Sequence, residues 1–122
     1  MDHIRTIEWR DGRVRLVDQT RLPGELVHVE TGDYRRLGES IKRLEVRGAP
    51  AIGVAGAMGV ALAALECDSS SPDELRRFVH EAATHLAATR PTAVNLTWAI
   101  DRSLRVLDSP VHGTADAIRD AL

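Results

Sequence analysis

Two hydrophobic periods divide the chain. Residues 4 to 30 read as strands, whereas from Asp33 onward apolar residues recur every three or four positions. In the first part, Asp11-Gly12 sits between two alternating runs and predicts a two-residue type I′ hairpin turn, because both central positions need positive φ. Counting outward from that turn pairs Trp9 with Val14 and Ile7 with Leu16 on one face of a half-buried ribbon, and Glu8 with Arg15 on the other. A third strand is expected around Leu26 to Glu30, after the Leu22-Pro23-Gly24 break. So short a sheet cannot stand alone in water and must lean on helices.

The helical part begins with Tyr34, Leu37, Ile41 and Leu44 on one stripe, with Thr31 placed to cap and Asp33 favouring the positive helix start. That helix ends before Gly48. A second helix follows with Pro50 in its first turn, where a missing N–H costs nothing. Gly53, Gly56 and Gly59 lie inside it, and each costs a lone helix roughly 1 kcal/mol against alanine. Close approach of a neighbouring backbone or a ligand is the expected compensation. Ser71, Pro72 and Glu74 spell a capping box for a third helix, which carries Leu75, Phe78, Ala82 and Leu86 inward and runs to about Ala88. After Arg90-Pro91, Thr92 is placed to cap a fourth helix with Leu96, Ile100, Leu104 and Leu107 inward. Beyond Ser109-Pro110, residues Thr114 to Leu122 begin one more, whose apolar edge stops without a C-cap signal, so the native polypeptide is expected to continue. The predicted class is α+β: a small N-terminal antiparallel β-sheet of about three strands, residues 1–30, joined to a predominantly helical bundle, residues 33–122, in one domain.

Composition narrows the chemistry. With 16 Lys plus Arg against 18 Asp plus Glu, the net charge of -2 advertises no nucleic-acid surface. The uncharged run from Gly48 to Leu65 falls short of the about 20 strongly apolar residues of a membrane span and fits a buried helix better. A single cysteine, Cys67, and no leader-like start point to a reducing, cytoplasmic setting. Aromatic residues are only 3% of the chain, so the core must be built from Leu, Val, Ile and Ala.

Arg47-Gly48-Ala49 places an arginine and exposed backbone N–H groups at a helix start, the components of an anion site. Arg90 occupies the same kind of inter-helix break, and two such arginines could clamp one phosphate. On residue type alone the commoner role for each is a solvated loop arginine, Arg47 beside a glycine C-cap. Asn95 either completes the polar site or serves its own helix. Other patterns fail. His80 and His85 are five apart rather than four and point to different faces, and His3, His28 and His112 have no cysteine partners, so no metal site is expected. The glycines at 53, 56 and 59 fit neither a dinucleotide fingerprint nor a P-loop. Cys67, between Glu66 and Asp68, is in a setting that disfavours a thiolate.

Three separated motifs, LVDQTRLP at Leu16 to Pro23, VRGAPAIG at Val46 to Gly53 and TRPTAVNLTWAIDR at Thr89 to Arg102, together resemble the N-terminal part of the methylthioribose-1-phosphate isomerases. The resemblance covers essentially the whole chain but only the beginning of that family's sequence; related folds occur in ribose-1,5-bisphosphate isomerases and in regulatory subunits of an initiation-factor exchange factor. It implies an aldose-ketose isomerase of methionine salvage that converts 5-methylthioribose 1-phosphate to 5-methylthioribulose 1-phosphate, a homodimer when full length, with a small sugar phosphate as its ligand. No nucleic acid, no membrane and no metal or organic cofactor are implied. By the same resemblance Arg47, Gly48, Ala49 and Arg90 bind substrate, which reverses the balance struck on residue type. The catalytic cysteine and aspartate of the family belong to a second, Rossmann-like domain absent from this chain, so no catalytic residue is assigned here and the isolated chain is expected to be inactive. Cys67 does not match the catalytic cysteine's motif, and Met58 stands where the family commonly has tyrosine. A non-catalytic sugar-phosphate-binding or regulatory module of the same superfamily is the alternative.

Overall fold

Asp11 and Gly12 take φ of 50° and 78°, so their turn twists with the strands it joins, β1 (Ile7–Arg10) and β2 (Arg13–Val17). A computed structural model describes residues 6–109 and 113–122, leaving His3, Ile4, Arg5, Pro110 and His112 outside the described residues. The hairpin register is the one counted from the turn: Ile7 faces Leu16, Glu8 faces Arg15 and Trp9 faces Val14. Val14 and Leu16 are fully buried, but Trp9 stays 40% exposed, leaning over a cavity shared with Val54, Met58 and Leu65. The third strand, β3 (His28–Thr31), pairs antiparallel with β2 and closes a sheet of order β1-β2-β3. It starts later than expected because a 3-10 turn at Gln19–Arg21 and a bond from Asp18 N–H to Val27 O (2.8 Å) use up the connection. Leu26 is left 55% exposed.

Helix α1 (Tyr34–Lys42) is capped by Asp33, whose carboxylate accepts from Arg35 N–H at 2.8 Å. Thr31, the expected cap, lies two residues too early and instead accepts from Asp33 N–H at 2.9 Å, bending the chain into the helix. Tyr34, Leu37 and Ile41 are buried, whereas Leu44 departs from the predicted stripe: it sits past the helix end at φ 63° and is largely exposed.

The central element is α2 (Ala49–Glu66). A Cβ at Gly53 would lie 3.3 Å from Asn95 O, at Gly56 2.7 Å from Leu96 Cδ1, and at Gly59 2.8 Å from Leu86 Cδ1. The three glycines therefore admit α3 (Pro72–Ala88) and α4 (Val94–Leu107) against the α2 backbone. By length and composition α2 does reach the minimum for a bilayer-crossing helix, contrary to expectation, but its glycine face is occupied within the domain. At the start of α3 only half of the capping box forms. Ser71 Oγ accepts from Glu74 N–H at 3.3 Å, while the Glu74 carboxylate turns to the Ser69 hydroxyl at 2.7 Å. Leu75, Val79, Ala82, Ala83 and Leu86 are the buried positions of α3, and Phe78 packs partly buried with its ring edge-on to Tyr34.

Ala93, not Thr92, occupies the N-cap of α4 and has no side-chain cap bond. A turn closed by Ala93 N–H on Arg90 O at 3.0 Å carries the loop one residue further than the Thr92 signal implies. The last helix, α5 (Ala115–Ala121), is capped by Thr114 and held to the end of α2 by Arg119, which donates to Ala64 O at 3.0 Å, to Ser69 O at 2.8 Å and to Cys67 O. One buried cluster runs from Val14 and Leu16 of the sheet through α1 to α4 and reaches Ile118 of α5.

Candidate functional site

The segment that enters α2 is tied down before it reaches Gly48. Leu44 closes α1 in the left-handed region, and its carbonyl accepts from Arg47 Nε at 3.2 Å. The Glu45 carbonyl accepts from Gln19 N–H at 2.9 Å, fastening the loop to the end of β2. Gly48 then adopts φ 93° and ψ 132°, a conformation strained for any residue with a Cβ, and serves as N-cap with no side-chain cap bond. Its carbonyl accepts the first helical bond, from Ile52 N–H at 2.9 Å. The earliest N–H groups of an 18-residue helix are left pointing outward, with the positive end of the helix dipole behind them.

Across from this start lies the connection between α3 and α4. Thr89 ends α3 by donating its hydroxyl to Leu86 O at 2.6 Å, and Arg90 follows at a bend that leads into the turn of Pro91 and Thr92. Gly48, Ala49, Ile52, Arg90, Ala93 and Asn95 line one surface depression of about 380 Å³. Thus residues forty positions apart in sequence are gathered at one end of the helical bundle. Arg47 adjoins this depression in the chain without lining it, its guanidinium engaged with the Leu44 carbonyl and otherwise exposed.

The chemistry of this lining is one-sided. It offers backbone N–H groups, a guanidinium and a side-chain amide, with no carboxylate, imidazole or thiol among the lining residues. Such a set suits an anion by its chemistry and has no group able to move a proton. A second cavity, about 480 Å³, shares Ala49 and Asn95 with the first and is walled by Val54, Trp98 and Arg102. There the Arg102 guanidinium stands 5.5 Å from the centre of the Trp98 ring, and Trp98 is 59% exposed. In the sequence Trp98 stands out only within the TRPTAVNLTWAIDR motif, but its spacing of three from Asn95 along α4 puts both on one face.

The remaining candidates fall elsewhere. His80 Nε2 lies 2.9 Å from the Asp108 carboxylate, and the His85 ring meets Tyr34 edge-on at 5.9 Å, so the two histidines serve different contacts. Among the described residues no three His, Cys, Asp or Glu side chains gather as a metal-binding group. Cys67 lies just past the end of α2, partly buried, and its carbonyl serves Arg119. Glu66, at the end of α2, accepts from Tyr34 N–H at 2.7 Å and so caps a helix other than its own. Desolvation at this junction raises its pKa from the ordinary 4.5, outweighing the lowering by the Tyr34 bond.

Comparison with known proteins places these features in a family. The methylthioribose-1-phosphate isomerase of Geobacter metallireducens is 52% identical over 118 residues, covering 97% of this chain and 34% of that protein. The crystal structure of 5-methylthioribose 1-phosphate isomerase from Pyrococcus horikoshii OT3 superposes with a TM-score of 0.90 at 34% identity, over 95% of this chain and 33% of that one. That of the translation initiation factor eIF-2B, subunit delta, from A. fulgidus does so with a TM-score of 0.89 at 42% identity, over 98% and 34%. The chain thus spans about a third of the length of the curated relatives it matches. The model of the Initiation factor 2 subunit family matches residues 45–121, from the loop before Gly48 through α5, and this chain belongs to that family.

Proposed function

We propose that this chain is the N-terminal, substrate-clamping domain of an aldose-ketose isomerase that converts 5-methylthioribose 1-phosphate to 5-methylthioribulose 1-phosphate in methionine salvage. In this reading Gly48, Ala49 and Arg90, which line the depression, hold the substrate phosphate, joined by Arg47 through the guanidinium nitrogens that its Nε bond to the Leu44 carbonyl leaves unused. The observation that carries it is the depression in which Gly48 and Ala49, at the start of α2, face Arg90 with no carboxylate in the lining. Support comes from isomerases about half identical to this chain over nearly all of its length.

A sugar whose anomeric carbon bears phosphate must open its ring before hydrogen passes between C1 and C2. The N–H groups of α2 and the Arg90 guanidinium fix the phosphate and thereby hold the reacting carbons in place. The acid/base groups come from a second, Rossmann-like domain, so the isolated 122-residue chain turns over no substrate. The complete protein works as a cytoplasmic homodimer and needs no metal or organic cofactor.

A chimera tests the clamp: this chain replaces the matching third of the Geobacter metallireducens isomerase, and turnover of 5-methylthioribose 1-phosphate is measured with and without Arg47→Ala and Arg90→Ala. Loss of two charge-assisted phosphate contacts is expected to lower kcat/KM by roughly a hundredfold or more. Turnover unchanged in the double variant would sink the reading. The likeness to the initiation-factor subunit supports a second reading, a non-catalytic sugar-phosphate-binding or regulatory module. A folded chimera that binds the sugar phosphate without turning it over favours that module, and turnover of ribose 1,5-bisphosphate instead marks the related isomerase.

A further inference from the structure

The chain holds a buried charged group that the phosphate clamp does not use. Glu45 is 8% exposed and Ser40 is fully buried, three and eight residues before Gly48. Ser40 Oγ donates to Glu45 Oε1 at 2.7 Å, and the Arg36 guanidinium donates to both, to Ser40 Oγ at 2.7 Å and to Glu45 Oε1 at 3.0 Å. The backbone repeats the tie, because Glu45 N–H donates to Ser40 O at 2.9 Å while Glu45 O accepts from Gln19 N–H at 2.9 Å. Glu45 therefore joins α1, the end of β2 and the loop that delivers Arg47 and Gly48.

Stability alone is a weak reason for such a group. An apolar residue at position 45 would avoid burying a carboxylate, and a buried ion pair often only offsets its own desolvation. What a doubly anchored charge adds is a fixed direction for the chain leaving it. Between Glu45 and Gly48 lie only Val46, which is buried, and Arg47, whose guanidinium is bonded back to Leu44 O. A shift at Glu45 therefore passes directly to the first N–H groups of α2.

We propose that Arg36, Ser40 and Glu45 are positioning residues that set the angle at which Arg47, Gly48 and Ala49 meet an anion opposite Arg90. The inference rests on the phosphate-clamp reading above. It predicts that Glu45→Ala, which removes the acceptor that Arg36 and Ser40 share and leaves them only each other, weakens binding of inorganic phosphate to the 122-residue chain by roughly tenfold, as loss of a supporting hydrogen bond does at other ligand-holding groups. Glu45→Gln keeps an acceptor oxygen and is expected to restore most of the affinity. Arg36→Met, on a half-exposed side chain, gives an intermediate loss and serves if Glu45→Ala does not fold.

Phosphate titration followed by the amide NMR signals of Gly48, Ala49 and Arg90 reads the effect, together with hydrogen exchange, without phosphate, at Ile52, whose N–H makes the first bond of α2 to Gly48 O. Weaker binding and faster exchange in Glu45→Ala or Arg36→Met, both recovered in Glu45→Gln, support the inference. Wild-type affinity and unchanged exchange in these variants overturn it. If the wild-type chain shows no phosphate-dependent shift at the three amides, the clamp reading fails, and with it the anion-directed role of the network. Exchange then tells only whether the network orders the loop.

Discussion

Burial at the end of α2 disfavours the ionisation of Glu66. Desolvation raises its pKa above 4.5, with the nearby Asp33 charge adding to the rise, while the bond from Tyr34 N–H opposes it. A raised folded-state pKa means that the folded chain binds the proton more tightly than the unfolded one. The resulting contribution to stability is full below the ordinary carboxylate pKa and is lost as pH rises through the raised value. Glu66→Gln keeps an oxygen for Tyr34 N–H and removes the charge. Its melting temperature is expected to equal or exceed that of the wild type near neutrality, and the advantage is expected to vanish on acidification toward about pH 4. A gap between the two proteins that widens on acidification would contradict this. Glu66 carries no local sequence signal for its role, since the helix it caps starts thirty-two residues earlier. The Asp11-Gly12 turn was legible because the steric demand for positive φ falls on those two residues alone.

Helices, as elements, were legible in their existence and partly in their ends. Pro72 and Ser71 mark the start of α3 because a cap acts within one turn, and Ser71 Oγ does bond Glu74 N–H. Thr31 and Thr92 misled for the same reason: each can cap, but neighbouring bonds at Asp33 and between Ala93 and Arg90 moved the helix start. The face that α2 buries had no legible periodicity, since its apolar residues run all round the helix. Only the glycines hinted at it, and Leu86, Leu96 and Asn95 fill the space they leave. At the other end, α5 is held by its buried Ala115 and Ile118 and by the Arg119 side chain. Arg119 covers carbonyls of Ala64, Cys67 and Ser69 at the negative end of α2. Arg119→Met leaves those acceptors unpaired and is expected to cost about 1–3 kcal/mol. Hydrogen exchange should rise first in residues 115–121, and uniform protection across α5 in the variant would show that the anchor is not what holds it.

For the molecule as a whole, one buried cluster spanning the sheet and all five helices implies a single cooperative unfolding transition. Trp9 in β1 and Trp98 in α4 report from the sheet and from the helical bundle. Tryptophan fluorescence of Trp98→Phe and Trp9→Phe variants, which isolates one reporter at a time, should follow the same denaturation curve as helical circular dichroism. A ribbon that melts before the helices would separate the curves and break the inference. By itself the sequence determined the elements whose causes are local: the hairpin and its register, the order of the helices, most of their boundaries and the arginine-bearing breaks between them. Steric limits on φ and caps reaching one turn act within a few residues, so they can be read in order along the chain. Only the tertiary structure decided that Gly48 and Ala49 face Arg90, that Glu66 caps α1 and that Arg119 closes α2. Those juxtapositions depend on how closely helices pass one another, which is set by packing at Gly53, Gly56 and Gly59 between residues far apart in sequence.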